Sequence, residues 1–100
     1  MSKKLNEQEV QERFLNHVRF MVEYWGEGLD EVAKSKLSGL AFSILSAIDG
    51  CSSDLPPFIL APLCTKEDVK FYKEQDMDYY PISPKVECDI AATLHENFHK

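Results

Sequence analysis

The chain has 100 residues, of which 44% are hydrophobic and 11% aromatic, and a formal net charge of −6 at pH 7. This length predicts a single domain over residues 1–100. The apolar content is enough for a core, although a domain this small gains little stability from burial. The acidic balance argues against a duplex nucleic-acid binder, which presents a basic face to phosphates. No run approaches the roughly 18 apolar residues that a membrane span requires, so no membrane association is expected.

The N-terminal segment and the cysteines indicate a cytoplasmic protein. Lys3 and Lys4 are not followed by an apolar run, so a signal peptide is not expected. Three widely spaced cysteines, Cys51, Cys64 and Cys88, argue against a disulfide framework and for reduced thiols. Residues 49–100 carry ten acidic and five basic groups, which favour solubility or a basic partner surface.

The first predicted helix begins after Asn6, which can cap the free backbone amides, with Glu9 completing a capping box. Gly26 and Gly28 are expected to end it. Apolar side chains recur between these limits at spacings of three and four and form one helix face: Val10, Phe14, Val18, Met21 and Trp25.

The central helix, predicted from about Leu29 to Ile48, is the clearest element of the sequence. Asp30 at its start suits the helix dipole, and Asp49-Gly50 ends it. This helix is apolar on most of its faces, which predicts that it is buried against other helices or against a second copy of the chain. Gly39 is unfavourable inside a helix and is expected to admit a neighbouring backbone.

The remaining chain predicts a loop and two short helices. Residues 51–64 contain Pro56-Pro57 and an extended apolar run, 58–63, expected to pack on the helices and compatible with a short edge strand. Thr65 with Asp68 predicts a helix start, with Val69 and Tyr72 facing inward. Asp89 is the expected cap of a last helix with an inner face of Ile90, Ala91, Leu94 and Phe98. The fold class is therefore mainly α, with two long antiparallel helices, two short helices and a packed loop.

The segment His95-Glu96-Asn97-Phe98-His99 matches the H-E-x-x-H pattern of zinc hydrolases. On a helix, His95 and His99 share a face and can bind zinc, while Glu96 can act as a general base. Zinc is therefore the alternative to the principal expectation of no cofactor. Because the sequence stops at Lys100, the helix is expected to fray there, and a third ligand would come from upstream, with Cys88 or Asp89 as candidates.

Other catalytic arrangements have weaker signals. The three cysteines, His17 and His95 lack the short C-x-x-C spacing of structural zinc sites, so we interpret the thiols as small core residues. Ser43, Ser46 and Cys51 are possible nucleophiles, but no nucleophile elbow or P-loop accompanies them. Asp49 is interpreted as a turn residue. An enzyme is not expected.

Trp25, Tyr79 and Tyr80 are the candidate residues for binding a partner or ligand. Each offers a flat apolar face and a polar tip, as binding surfaces often do. They could also stack a nucleobase if a cation, such as that of Lys70, Lys73 or Lys85, meets the phosphate. The alternative is that these rings cover the small core.

Two parts of the sequence carry a resemblance to a known family. The first is the run Gly39–Gly50, G-L-A-F-S-I-L-S-A-I-D-G, which is followed by Leu55-Pro56-Pro57-Phe58. The second is Tyr79-Tyr80-Pro81, which is followed by the segment 90–96, I-A-A-T-L-H-E. Together, over roughly residues 30–98, they resemble small bacteriophage and prophage proteins. That family supplies no established active site, but it implies the cytosol of a bacterial host.

The sequence therefore favours a non-enzymatic phage-type binding protein that forms a homo-oligomer through its central helix. The resemblance implies a host-defence inhibitor that captures a host protein or a small signalling nucleotide. Two alternatives stay open. One is the zinc hydrolase, and the other is a structural accessory subunit without a ligand.

Overall fold

The computed structural model describes residues 1–81 and 88–99, and these ranges are mainly helical. Their helices are α1 (Glu7–Gly26), α2 (Glu31–Ile48), α3 (Lys66–Glu74) and α4 (Leu94–Phe98). The two long helices pack against each other as a hairpin, and α4 packs against both. The predicted architecture of two long and two short helices is confirmed. None of the described helices has the length and apolarity needed to cross a membrane.

Helix α1 begins with the capping box that the sequence predicts. The Asn6 side chain accepts from the backbone N–H of Glu9 at 2.8 Å, and the Glu9 carboxylate accepts from the Asn6 N–H at 3.0 Å. Val10 and Leu15 are buried at the N-terminal half of the helix. Met21 and Trp25, which continue the same apolar face, stay exposed.

Helix α2 ends in a Schellman motif. The N–H of Gly50 donates to the carbonyl of Ala47 at 3.1 Å, and the N–H of Cys51 donates to that of Ser46 at 2.9 Å. Gly50 has φ 88°, a left-handed conformation that residues with a side chain rarely adopt. The helix therefore stops after Ile48 as predicted, and the turn fixes where Asp49 and Cys51 lie.

The predicted burial of α2 on most sides is not met within the single chain. Leu45 is its one fully buried residue, whereas Val32, Leu40 and Ile44 are 67%, 60% and 54% exposed. The expectation for Gly39 is wrong for the single chain, because a Cβ built there would meet nothing within 4 Å. A wide apolar face of α2 is thus left open to solvent.

The apolar loop packs less completely than expected. Leu60 packs against the core, but Phe58, Ile59 and Leu63 are exposed. The possible edge strand at 58–63 is absent from the described residues. The loop is instead held by single hydrogen bonds, from Phe58 N–H to the Ile48 carbonyl and from Ile90 N–H to the Leu60 carbonyl.

The two short helices differ in how well the sequence predicts their starts. Thr65 and Asp68 form a capping box at α3, and Val69 is buried, as predicted. Asp89 does not cap α4, so that prediction is wrong. Its carboxylate accepts from the backbone N–H groups of Leu60 and Ala91 at 2.9 and 3.0 Å, and it anchors the loop instead.

The core lies where α4 and the segment before it meet the hairpin. The inward face predicted for this segment is confirmed, since Ile90, Leu94 and Phe98 are buried. They pack with residues of the N-terminal segment, α1 and α2, chiefly Leu5, Val10, Leu15 and Leu45. The core therefore covers part of the hairpin and leaves the rest of its apolar surface open.

Substitution of Gly50 tests the Schellman turn. A Cβ at this position would lie 2.7 Å from Cβ of Pro57 and would also force an unfavourable positive φ. We expect Gly50→Ala to lower the free energy of unfolding by at least about 2 kcal/mol in urea denaturation. Gly39→Ala is the matched control. Because its site is helical and open, we expect it to leave the free energy of unfolding unchanged or to raise it by at most about 1 kcal/mol. Equal urea midpoints for wild type and Gly50→Ala would contradict the turn described.

Candidate functional sites

An apolar groove, here called the α1–α2 groove, runs between the two long helices. Its volume is about 440 Å³. Every side chain that lines it is apolar, and all of them come from the two helices: Phe14, Val18, Met21, Val22, Trp25, Leu37, Leu40, Ala41, Ile44, Leu45 and Ile48. Trp25, one of the predicted binding residues, stands at the rim with 69% of its surface exposed. The apolar faces predicted for the two helices thus meet, but only their inner edges are covered.

The other two predicted binding residues lie elsewhere. Tyr79 pairs through its backbone with the N-terminal segment, and Nζ of Lys73 lies 4.9 Å from its ring centroid. Tyr80 is half-buried against the core, with the Arg13 guanidinium 5.9 Å from its ring. Trp25 is about 18 Å further along the helix axis than Arg13. The structure therefore does not bring Trp25 to the tyrosines, and Lys85 lies outside the described residues.

Tyr80 lines a second cavity of about 500 Å³, here called the Tyr80 pocket. Its wall is mostly apolar, from α1, the loop and the segment before α4. Three polar-tipped side chains also reach it: Arg13, His17 and Tyr80. Arg13 additionally lies 3.8 Å from the carboxylate of Asp78, which holds its guanidinium near the tyrosine. The pocket combines an aromatic surface with a cation.

A third site joins three residues that the sequence analysis treated separately. The Nδ1 atom of His95 lies 2.5 Å from Oδ2 of Asp49, and Nε2 of the same ring lies 3.8 Å from Sγ of Cys51. The Schellman turn supplies Asp49 and Cys51 on either side of Gly50, and α4 supplies His95. This arrangement is called the Asp49 cluster below.

The Asp49 carboxylate is completely enclosed. It accepts backbone N–H groups from Ala92 at 2.7 Å and from His95 at 2.8 Å, besides the His95 ring. Burial alone would raise the pKa of Asp49. The hydrogen bonds from the His95 ring and from the backbone of His95, Leu94 and Ala92 outweigh it and lower the pKa below its ordinary value. The carboxylate is therefore held ionised at neutral pH.

The cysteines divide into one exposed and two buried thiols. Cys64 and Cys88 are buried, as the sequence predicts, and burial raises the pKa of each thiol, with Asp68 adding to this for Cys64. The interpretation of Cys51 as a core residue is wrong, because it is exposed. It follows the helix-ending glycine, and the sequence signal that could have found it is the short run Asp49-Gly50-Cys51.

The two histidines of the H-E-x-x-H pattern are placed differently. His95 is directed to Asp49, whereas His99 follows the last helical residue and stacks on Phe42 with ring centroids 5.5 Å apart. His95 also meets Phe42 edge-on at 5.8 Å. The described residues contain no group of three or more His, Cys, Asp or Glu that could hold a metal ion. Zinc binding by this pattern stays a prediction.

Comparison with protein-family models, curated proteins and solved structures finds no match to this chain. The described residues themselves offer three arrangements with distinct chemistry. The α1–α2 groove offers apolar contact area, and the Tyr80 pocket offers an aromatic ring beside a cation. The Asp49 cluster offers a thiol beside an oriented imidazole.

The lowered pKa of Asp49 predicts an acid-dependent loss of stability. Because the pKa is lower in the folded chain, the carboxylate stabilises the fold above its unfolded value, near 3.8, and this contribution is lost as pH falls through the folded value. We expect Asp49→Asn to lower the free energy of unfolding at pH 7 by about 2–3 kcal/mol. The gap between variant and wild type should narrow below about pH 4.

Urea denaturation between pH 2.5 and 7 measures this gap. Asp54→Asn is the control, since Asp54 is exposed in the loop after α2, and it should match wild type throughout. A constant gap between Asp49→Asn and wild type over this pH range would contradict the role given to the carboxylate.

Proposed function

We propose that the chain is a binding protein that acts as a homodimer, with the α1–α2 groove as the interface. The observation that supports this most directly is the groove itself, whose lining is wholly apolar and whose rim residues stay exposed in the single chain. In the phage setting that the sequence resemblance implies, the dimer would inhibit a host defence protein. The acidic excess of residues 49–100 suits a basic surface on that partner.

The chain exposes more surface than a compact monomer of its mass, which favours a partner that covers part of it. The accessible surface is 7204 Å², whereas surface-to-mass scaling gives about 5,800 Å² for a compact monomer of 11.5 kDa. The excess of about 1,400 Å² is larger than the roughly 800 Å² that each partner contributes to a standard interface. The Cα radius of gyration, 15.7 Å, likewise exceeds the about 13 Å expected for this length.

A second copy of the chain fits the groove better than a charged partner. No charged side chain lines the groove, so the negative charge of the protein does not oppose contact at its centre. A two-fold axis would set Trp25, Leu40 and Ile44 of one hairpin against the same residues of the other. Two helical hairpins joined in this way form a four-helix bundle, a common solution for apolar helix faces.

The dimer is tested by placing a charge inside or outside the groove. Leu40→Glu puts a carboxylate on the groove lining in both copies. We expect it to raise the dissociation constant of the dimer at least about thirty-fold, because the charge would be buried without a partner. Val32→Glu is the matched control, since Val32 is similarly exposed on the same helix but does not line the groove.

Sedimentation velocity from 1 to 200 µM measures the three proteins. We expect a dimer for wild type and Val32→Glu and a monomer for Leu40→Glu. A wild-type protein that stays monomeric throughout would overturn the proposal. Equal weakening by both substitutions would place the interface elsewhere.

A second candidate function is the capture of a small signalling nucleotide in the Tyr80 pocket. The observation that favours it is the placement of the Tyr80 ring, the Arg13 guanidinium and His17 on one cavity. The ring can stack a base, and a guanidinium is the cation best suited to a phosphate. This use of the pocket does not depend on the dimer, because the Tyr80 pocket and the α1–α2 groove share a single lining residue, Phe14.

Calorimetric titration with cyclic di-AMP and cyclic GMP–AMP tests this candidate. We expect binding by wild type, a loss of at least about ten-fold in affinity for Arg13→Gln, and no loss for Lys36→Gln, a surface cation on α2. The absence of heat with wild type at 200 µM nucleotide would exclude these nucleotides as ligands.

A further inference from the structure

Cys51 is the exposed thiol of the chain, and it lies against an ordered imidazole. Its Sγ is 3.8 Å from Nε2 of His95, within the reach of an S–H···N hydrogen bond. The backbone N–H of Cys51 is fixed on the Ser46 carbonyl by the Schellman turn. The sulfur is therefore both open to solvent and held next to a base.

The hydrogen bonds around His95 set its tautomer. Asp49 is an ionised acceptor at Nδ1, so this nitrogen carries the proton. In the neutral ring, Nε2 then presents its lone pair toward the sulfur. Asp49 in turn accepts two backbone N–H groups, and the Phe42 and His95 rings meet in a T-shaped arrangement with centroids 5.8 Å apart, so the imidazole has a partner at Nδ1 and another against its ring.

We propose that Cys51 is a modification site that exchanges with low-molecular-weight disulfides, with His95 as its base and Asp49 as the residue that positions His95. The same order of groups, a thiol, an imidazole and a carboxylate, activates sulfur nucleophiles in general. Because Nε2 lies 3.8 Å from Sγ, the thiol proton is transferred to Nε2 as the sulfur attacks.

The exchange balances without a further reactant. Sγ of Cys51 attacks one sulfur of the small disulfide, a new S–S bond forms, and the original S–S bond breaks. The second sulfur leaves as a thiolate and is the atom reduced, while Sγ of Cys51 is oxidised. The proton that Cys51 gave to Nε2 passes to the leaving thiolate, so His95 returns to its starting state.

The other two cysteines serve as internal controls. Cys64 and Cys88 are buried, and burial raises the pKa of both thiols, so they are expected to react slowly in the folded chain. Neither makes a hydrogen bond to a histidine in the described part of the chain. A difference in rate among the three thiols of one molecule cannot come from concentration or solution conditions.

Reaction with the aromatic disulfide 5,5′-dithiobis(2-nitrobenzoic acid) tests the proposal, with mass spectrometry of proteolytic peptides to assign each cysteine. A synthetic peptide of residues 47–55 supplies the same thiol and neighbours without His95. At pH 7 we expect Cys51 in the folded wild type to react at least about ten-fold faster than in the peptide. A rate no higher than that of the peptide overturns the proposal, and this comparison needs no variant to fold.

Variants separate the roles of the cluster. His95→Gln should bring the Cys51 rate down to that of the peptide, whereas Glu96→Gln, next to it on α4 and exposed, should match wild type. Asp49→Asn should slow the exchange and remove the downfield Nδ1 proton resonance of His95 in the NMR spectrum. A wild-type rate in folded His95→Gln contradicts the base, and an unchanged resonance in Asp49→Asn contradicts the positioning role.

Discussion

The enclosed carboxylate of Asp49 joins the end of α2 to the last helix, and much of the fold depends on this connection. It accepts hydrogen bonds from the backbone N–H groups of Ala92 and His95 and from Nδ1 of the His95 ring. At the other end of α4, the Arg19 guanidinium donates to the carbonyls of Asn97 and Phe98. A helix of five residues is not stable by itself. It persists because both of its ends are bound to the long helices, and it can then deliver Leu94 and Phe98 to the core.

Covering one part of the hairpin with so short a helix leaves the α1–α2 groove open. The buried residues of the core come mainly from the N-terminal segment, the first half of α1 and the segment around α4. The second half of α1 therefore carries Met21 and Trp25 in solvent, although they continue the same apolar face as Val10. A chain of this size has few other residues with which to cover that face. In the dimer that we propose, a second copy would supply the missing area with the same residues that need it.

The elements predictable from the sequence are those set by neighbours within four residues. The capping boxes of Asn6 with Glu9 and of Thr65 with Asp68 are such signals, and both helix starts follow them. Asp89 carries the same kind of local signal, but its carboxylate is used by Leu60, 29 residues away. The Asp49 cluster is also non-local, since Asp49 and His95 lie 46 residues apart. Local spacing cannot predict such contacts, because they depend on how the helices pack.

The hydrogen bond between His95 and Asp49 serves the fold and the thiol in different ways. For the fold it adds to the backbone hydrogen bonds that hold α4, and for Cys51 it orients Nε2. Formation of a disulfide on Cys51 would remove the proton that Nε2 accepts, but Asp49 would keep its own partners. The sulfur is exposed, whereas the carboxylate is enclosed, so a group added to Cys51 extends into solvent rather than into the core. Chemistry at the thiol is thus separable from the connection that holds the last helix in place.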